Sequence, residues 1–174
     1  MSCELSAGFT KSACASFGGT KSVVVFNSEN IATYTVGTAS PDLNVCTALS
    51  LTAPAVGYRI SPDMASIDFT ETPTRSRENN SIFFASTCAI TLKDDSQATR
   101  DLVDAISKGF ITVIQEKENG SNLVYGGVNG MTVETTSITT GMNFEDLNGS
   151  VINLVGKETS IATSVDDTII AGIL

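Results

Sequence analysis

Residues 82–108 decide the fold, because they place the longest strand signal of the chain directly before its clearest helix signal: IFFASTCAITLKDDSQATRDLVDAISK. In the first half of this stretch apolar residues recur at every second position, and such residues share one face of a strand. They are Ile82, Phe84, Cys88, Ile90 and Leu92. The pattern predicts a strand over 82–92 with one buried face.

The second half of the stretch has the features of a capped helix. Ser96 is a good N-cap, and Asp94 and Asp95 before it suit the positive end of the helix dipole. Apolar residues then follow at helical spacing, namely Ala98, Leu102, Ala105 and Ile106. Gly109 stands where a C′ glycine is common. We expect one helix over about 96–108.

Strand signals lie on both sides of this helix. Residues 23–26 and 31–36 flank Asn27-Ser28 and predict a first hairpin, and residues 66–72 alternate between apolar and polar. After the helix, Asn119-Gly120 between apolar runs predicts a type I′ hairpin turn. Gly130 and Gly149 mark two further turns of an antiparallel meander.

The order of strands, one helix and more strands predicts a mainly β protein. We expect a single domain over 1–174, an antiparallel β sandwich or barrel with one flanking α-helix. Three prolines break residues 37–65, so this segment is predicted to be an extended loop or arm with short strands at 48–51 and 57–60. The segment 166–174 is apolar for a chain end. It is either a final strand on its own sheet or an arm that docks on a neighbouring subunit through Ile169, Ile170, Ile173 and Leu174.

The residue types exclude most catalytic chemistry. The chain has no histidine, so Ser-His-Asp and Cys-His arrangements are impossible. Its four cysteines lack metal-ligand spacing, and we expect them to be reduced and mostly buried. They are Cys3, Cys14, Cys46 and Cys88. We therefore expect no enzyme, no cofactor and no metal site.

Charge and hydropathy limit the partners. The net charge of −9 argues against sequence-independent binding of nucleic acid, which needs a basic surface. No apolar run approaches the ~20 residues of a spanning helix, so we expect no membrane partner. The first residues contain no basic n-region followed by an apolar run, so we expect the protein to fold in a cytoplasm.

A series of turn motifs resembles a known group of proteins. The N-terminal part reads Cys3-x-Leu5-x-Ala7-Gly8-Phe9, then Cys14, then Phe17-Gly18-Gly19-x-Lys21. The later motifs are Lys108 to Ile114, Asn119-Gly120, Gly126 to Gly130, Thr140-Gly141, Asp146 to Gly149 and Gly156 to Glu158. In order and spacing they are similar to small structural proteins of tailed-bacteriophage virions, most of all to tail tube proteins. The resemblance covers most of the chain outside the middle segment.

The resemblance implies a function in assembly. Tail tube proteins form hexameric rings that stack, with DNA passing through the lumen as cargo, and they contact other tail or neck proteins of the virion. Loops and arms join the rings, and residues 37–65 and the polar tip 74–80 are the candidates here. An acidic lumen wall would let DNA pass without adhering. The candidate lumen acids are Asp68, Glu71, Glu116 and Glu134, although each also fits an ordinary solvated strand face.

Two alternatives stay open. One is another virion component, such as a capsid decoration or head–tail connector protein. The other is a small ligand- or carbohydrate-binding β sandwich. Such a site usually presents exposed aromatic rings, and this chain has three tyrosines and no tryptophan.

Overall fold

The computed structural model describes residues 18–39, 41–62, 66–143 and 145–174. The resemblance motifs before Gly18, and with them Cys3 and Cys14, lie outside the described residues. The strands are β1 Thr20–Asn27, β2 Ile31–Val36, β3 Val45–Leu51, β4 Tyr58–Ile60, β5 Ile67–Ser76, β6 Ser81–Leu92, β7 Ile111–Lys117, β8 Asn122–Tyr125, β9 Met131–Thr139, β10 Gly149–Glu158 and β11 Thr163–Val165. The helices are α1 Gln97–Lys108 and α2 Asp167–Ala171, and a 3-10 turn spans Ser28–Asn30.

All strands described belong to one large mixed sheet. Its order is β2-β3-β11-β8-β7-β9-β10-β6-β5, while β1 pairs with both β7 and β4. The β11–β3 pair is parallel, and the other pairs are antiparallel. The prediction of a mainly β fold is confirmed. The sheet does not close on itself, so a closed barrel is not what the described residues form.

Strands β1 and β7 lie at the centre because both of their faces are apolar. Val23 and Val25 of β1 point into one core, and Val24 and Phe26 point into a second core on the other side. The first core includes residues of β6, β10 and α1. The second includes residues of β3, β8 and β11, together with the C-terminal segment. A continuous apolar run is what burial on both faces requires.

This central position explains why the predicted first hairpin is wrong. β1 does not pair with β2. Instead β1 pairs with β7 and β4, and the half-exposed β2 pairs with β3. The apolar run 23–26 is better buried between two partners than at the start of a hairpin with an exposed strand.

Helix α1 confirms the predicted position and N-cap. The Ser96 side chain accepts a hydrogen bond from the Thr99 backbone N–H. The buried residues of α1 are Val103 and Ile106, whereas Ala98 and Ala105 of the predicted stripe are exposed. Gly109 has φ −120°, so it continues into β7 as extended backbone and is not a left-handed C′ residue.

The C-terminal half differs from a simple meander. The β7–β8 hairpin is confirmed, but its turn is not type I′. Gly120 has φ +80°, and Asn119 is not among the residues with positive φ. The Gly120 N–H donates to the Lys117 carbonyl. β8 and β9 then follow one another along the edge of β7 that lies opposite β1, since Val113 pairs with Val25 of β1 and Tyr125 of β8, and Ile111 pairs with Asn27 of β1 and Met131 of β9.

The proline-broken segment is partly built into the sheet. β3 pairs with β2 and β11, and β4 pairs with β1. Both short strands predicted there are present, with β3 starting earlier than predicted. The connecting loops of this segment remain as the candidates for an arm. Residues 40 and 63–65 of these loops lie outside the described residues.

Candidate assembly surfaces

The free edge of β5 is the first surface that could join another chain. The Thr91 N–H donates to the Ser66 carbonyl, so even-numbered residues of β5 direct their backbone groups to β6. Odd-numbered residues must then direct theirs away from β6. Ile67, Phe69 and Glu71 therefore present backbone donors and acceptors at the edge. Pro73 lies in the same row, where its missing N–H costs the β6 ladder nothing.

The edge of β5 has no strand partner among the described residues. β5 approaches β1 without pairing to it. At the other end of the strand order, β3 is the one partner of β2 in the described part of the chain. Unpaired edges of this kind are templates for strands of another chain. β4 likewise pairs with β1 alone among the described strands, so the open sheet ends in three such templates, at β2, β4 and β5.

The outer face of the sheet β9-β10-β6-β5 is a hydroxyl-rich surface. The strand registers align short polar side chains in rows across the four strands, and each of these side chains is exposed or half-buried. They are Thr70, Thr72, Thr74, Thr87, Thr91, Thr132, Thr135, Ser137 and Thr139. We call this surface the hydroxyl face. Its opposite side carries Phe69, Cys88, Ile90, Ile152 and Leu154 in the first core or against it.

Two of the four candidate lumen acids lie together on the hydroxyl face. Asp68 and Glu134 line the same shallow depression, with Asn153 between their strands. A register shift in β9 opposite Asn153 and Leu154 leaves Glu134 as an extra residue. Such bulges re-aim a side chain. Asn153 Nδ2 donates to Thr135 Oγ1 at 2.8 Å, which joins β10 to β9 beside the bulge.

The other two candidate acids lie elsewhere, so the four do not form one surface. Glu71 is on the core side of β5, where its Oε1 accepts from the Ala162 backbone N–H at 2.9 Å. Glu116 forms a bidentate pair with Arg59, at 2.8 Å to Nη2 and 3.0 Å to Nε, and accepts from the Ser22 hydroxyl. The alternation of apolar and polar residues in the sequence predicted that each acid lies on a strand. It could not show that Arg59 of β4 reaches across β1 to Glu116 of β7.

The C-terminal residues pack on their own chain. Asp166 caps α2 by accepting from the Thr168 N–H at 2.9 Å. Ile170 and Ile173 are buried in the second core, and Ile169 packs against it. Only Leu174 of the predicted arm residues is exposed. The segment is thus a short helix on its own chain, because i and i+3 spacing brings Ile170 and Ile173 to one side.

The three predicted turn glycines have two different functions. Gly120 and Gly130 have φ +80° and +74°, a region that side chains other than glycine rarely adopt. Gly149 has no such backbone. A Cβ at Gly149 would lie 2.0 Å from the Leu92 carbonyl oxygen, so Gly149 allows the close approach of β10 to β6.

The ionisable groups of the described residues were predicted to include no metal site. Among them no three His, Cys, Asp or Glu side chains are placed to hold a metal ion. Burial raises the pKa of the Cys88 thiol well above its ordinary value, so it is an unreactive core residue. Burial likewise raises the pKa of Tyr125 to about 12. In the described part of the chain, no helix has the length and apolarity to span a membrane.

The three tyrosines, which a sugar-binding surface would use, lie in different environments. Tyr125 is buried and stacks on Phe69 at 4.7 Å between ring centroids. Tyr34 is half-buried and its hydroxyl bonds to Thr163. Tyr58 is the tyrosine that presents its ring to solvent, with 63% of its surface exposed.

Comparison with protein-family models, curated proteins and solved structures gives no match for this chain.

The hydroxyl face is the feature that our sequence reasoning missed. Its signal was present in residues 70–74, which read Thr-Glu-Thr-Pro-Thr. Threonine at every second position places three hydroxyls on one face of a strand.

Proposed function

We propose that this chain is a structural subunit of a tailed-phage virion that assembles with copies of itself into rings, most like a tail tube protein. Six copies would form each ring, and stacked rings would form the tube. Other tail or neck proteins would contact its ends, and DNA would pass through it as cargo. The observation that carries the proposal is the open sheet with unpaired edges at β5 and β2.

Ring closure through these edges has a physical rationale. A strand edge exposes a row of backbone groups, and natural proteins cover or disrupt long edges. Pairing β5 of one copy with β2 of the next would give hydrogen-bond partners to the unpaired backbone groups of both edges. Since these are different patches of the surface, the contact is heterologous, and heterologous contacts generate rings or helical filaments.

In such a ring the hydroxyl face is our candidate for the lumen wall. It carries two acids, Asp68 and Glu134, and one exposed base, Lys157. Short neutral hydroxyls with a small acidic excess offer DNA no array of cations for counterion release. In this proposal two of the four candidate acids, Asp68 and Glu134, face the lumen. The lumen wall is then mainly neutral, whereas the sequence had predicted an acidic one.

Electron microscopy of the purified protein tests the proposal. We expect rings or tubes in negative stain, and light scattering that rises with protein concentration. Glu71→Pro removes one outward N–H of β5 without breaking the β6 ladder, and we expect it to abolish rings. Glu71→Gln keeps that N–H and an acceptor for Ala162, and should assemble. Wild-type protein that stays monomeric at every concentration would refute the proposal.

A further inference from the structure

The hairpin at the end of β5 and β6 extends beyond the rest of the sheet. Glu158, the last residue of β10, pairs with Phe84 of β6. Among the described strands, residues 81–83 of β6 therefore pair with β5 alone. Hairpins with just two strands are marginally stable in water. This projecting tip is a surface without a strand partner beyond the hairpin itself among the described residues.

One face of the tip is apolar and continues the core side of the sheet. Pro73 pairs with Phe84, and Arg75 pairs with Ile82, and all four lie on the face that carries Phe69 further along. Ile82 has 55% of its surface exposed. We call these four residues the tip strip. Three of these four residues are apolar, as in a core layer, but the strip lies at and beyond the described end of β10.

The tip is also basic in an acidic protein. Residues 74–83 contain two arginines and one glutamate, a charge of +1, whereas the whole chain carries −9. Neither Arg75 nor Arg77 forms an ion pair with a described residue. The tip is therefore suited to an apolar surface with an acidic rim.

The chain itself presents a groove of that kind. A cavity of about 350 Å³ lies between α1, the end of β1 and residues 54–58. Its apolar lining includes Phe26, Val56, Tyr58, Leu102, Ala105 and Ile106. Asp101 is one turn before Ala105 on the same helix face, and Glu29 adjoins the lining residue Asn30. Neither acid is paired with a cation of the described residues.

A chain cannot fill its own groove with its own tip. The tip is at one end of β6, and α1 begins beyond the other end. Twelve residues of strand span about 40 Å. The tip therefore has to meet the groove of a second copy.

We propose that the tip strip of one copy docks in the α1 groove of another copy, with Arg75 and Arg77 facing Asp101 and Glu29. This contact rests on the proposed self-assembly and deepens it. Edge pairing extends a sheet across its strands, whereas the tip projects along them. The tip contact therefore joins copies end to end, and so joins one ring to the next.

Two substitutions test the two sides of this contact separately, one in the tip strip and one in the groove. Ile82→Asp places a charge in the tip strip, and Ala105→Trp fills the groove from an exposed helix position. At a concentration at which the wild type forms tubes, each variant should form single rings, because the concentration needed for tubes should rise at least about tenfold. Thr74→Asp places the same charge on the opposite face of the hairpin and should form tubes like the wild type.

Mixing the two variants gives the decisive result. The Ile82→Asp ring keeps an intact groove and the Ala105→Trp ring keeps an intact tip, so an equimolar mixture should give pairs of rings and no longer stacks. Circular dichroism confirms that each variant is folded. In the otherwise wild-type chain, Tyr58→Trp introduces the sole tryptophan, and docking between rings should shift its emission to shorter wavelength.

The possible failures are distinguishable. If both variants form tubes like the wild type, the tip contact is refuted and the proposed function stands. If the variants stop stacking but the mixture restores no ring pairs, the pairing of this tip with this groove is refuted. If the wild type forms neither rings nor tubes, the proposed function fails together with the contact.

Discussion

The central strands β1 and β7 and the outer strands β5 and β6 use their surfaces in opposite ways. Val23 to Phe26 and Val113 and Ile114 are buried from both sides, and β7 takes strand partners along both edges. β5 has one core face, one exposed face, one free edge and a projecting end. The surfaces of the central strands are therefore buried within the fold, whereas the outer strands leave an edge and a face exposed, and these are the surfaces that we propose contact other chains.

The largest difference between the two regions should appear in stability. Ile114 is fully buried, and Ile114→Ala should lower the free energy of unfolding by about 2–5 kcal/mol. Thr70→Ala on the hydroxyl face should change it by no more than about 0.5 kcal/mol. Urea unfolding measures both values. Equal losses of unfolding free energy in the two variants would contradict this difference between the buried central strands and the exposed outer strands.

The C-terminal segment should behave as part of the centre. Ile170 is 1% exposed, and Ile170→Val should cost about 0.5–1.5 kcal/mol. Ile169→Val, at a half-buried position on the same short helix, should cost less. Thermal unfolding of both variants at a concentration below assembly gives the comparison. If Ile170→Val impaired assembly without changing thermal unfolding, the C-terminal segment would have to be interpreted as an inter-subunit arm.

An ion pair at the edge of the centre should make a smaller contribution. Arg59 and Glu116 have 45% and 14% of their side-chain surfaces exposed, so solvent screens the pair. Glu116→Gln should cost no more than about 1 kcal/mol and less at high salt. Glu134→Gln, on the hydroxyl face and without a described cation nearby, is the matched control. A loss that does not change with salt would show that the Ser22 hydrogen bond is the larger contribution.

The smallest effect should be local and dependent on pH. Hydrogen bonds from the Met142 and Asn143 backbone N–H groups hold the pKa of Asp146 below its ordinary value. The ionised carboxylate therefore stabilises the β9–β10 loop above the unfolded pKa of about 3.9, and this contribution is lost as the pH falls through the lower folded pKa. Hydrogen exchange should show protection of these two amides decreasing in acid. Asp146→Asn should remove the pH dependence.

The sequence predicted local structure better than topology. The strand at 82–92 and the helix at 96–108 followed from periodicity and from Ser96, because these signals depend on neighbouring residues. The partners of β1 did not follow, since Val23 to Phe26 could pair with any apolar strand. The turn at Gly120 was placed correctly but given the wrong geometry, because a glycine permits several turns.

The candidate surfaces were predictable to a similar degree. Alternation placed Asp68 on an exposed strand face and Ile67 and Phe69 on the buried one, as the structure has them. The separation of Glu71 and Glu116 from Asp68 depends on how four distant strands lie next to one another. The burial of Ile170 and Ile173 depends on a helix of five residues, which is too short for its periodicity to be recognised.

The position of β11 has a consequence for synthesis. β2 and β3 pair with each other, and their only link to the other strands of the described sheet is β11, which lies between β3 and β8. A ribosome makes residues 31–51 long before residues 163–165. Until those last residues emerge, the β2–β3 hairpin has no place in the sheet, and the β2 edge is not yet held where another copy could meet it. In the proposed assembly, a chain still under translation would thereby be kept from joining finished neighbours prematurely.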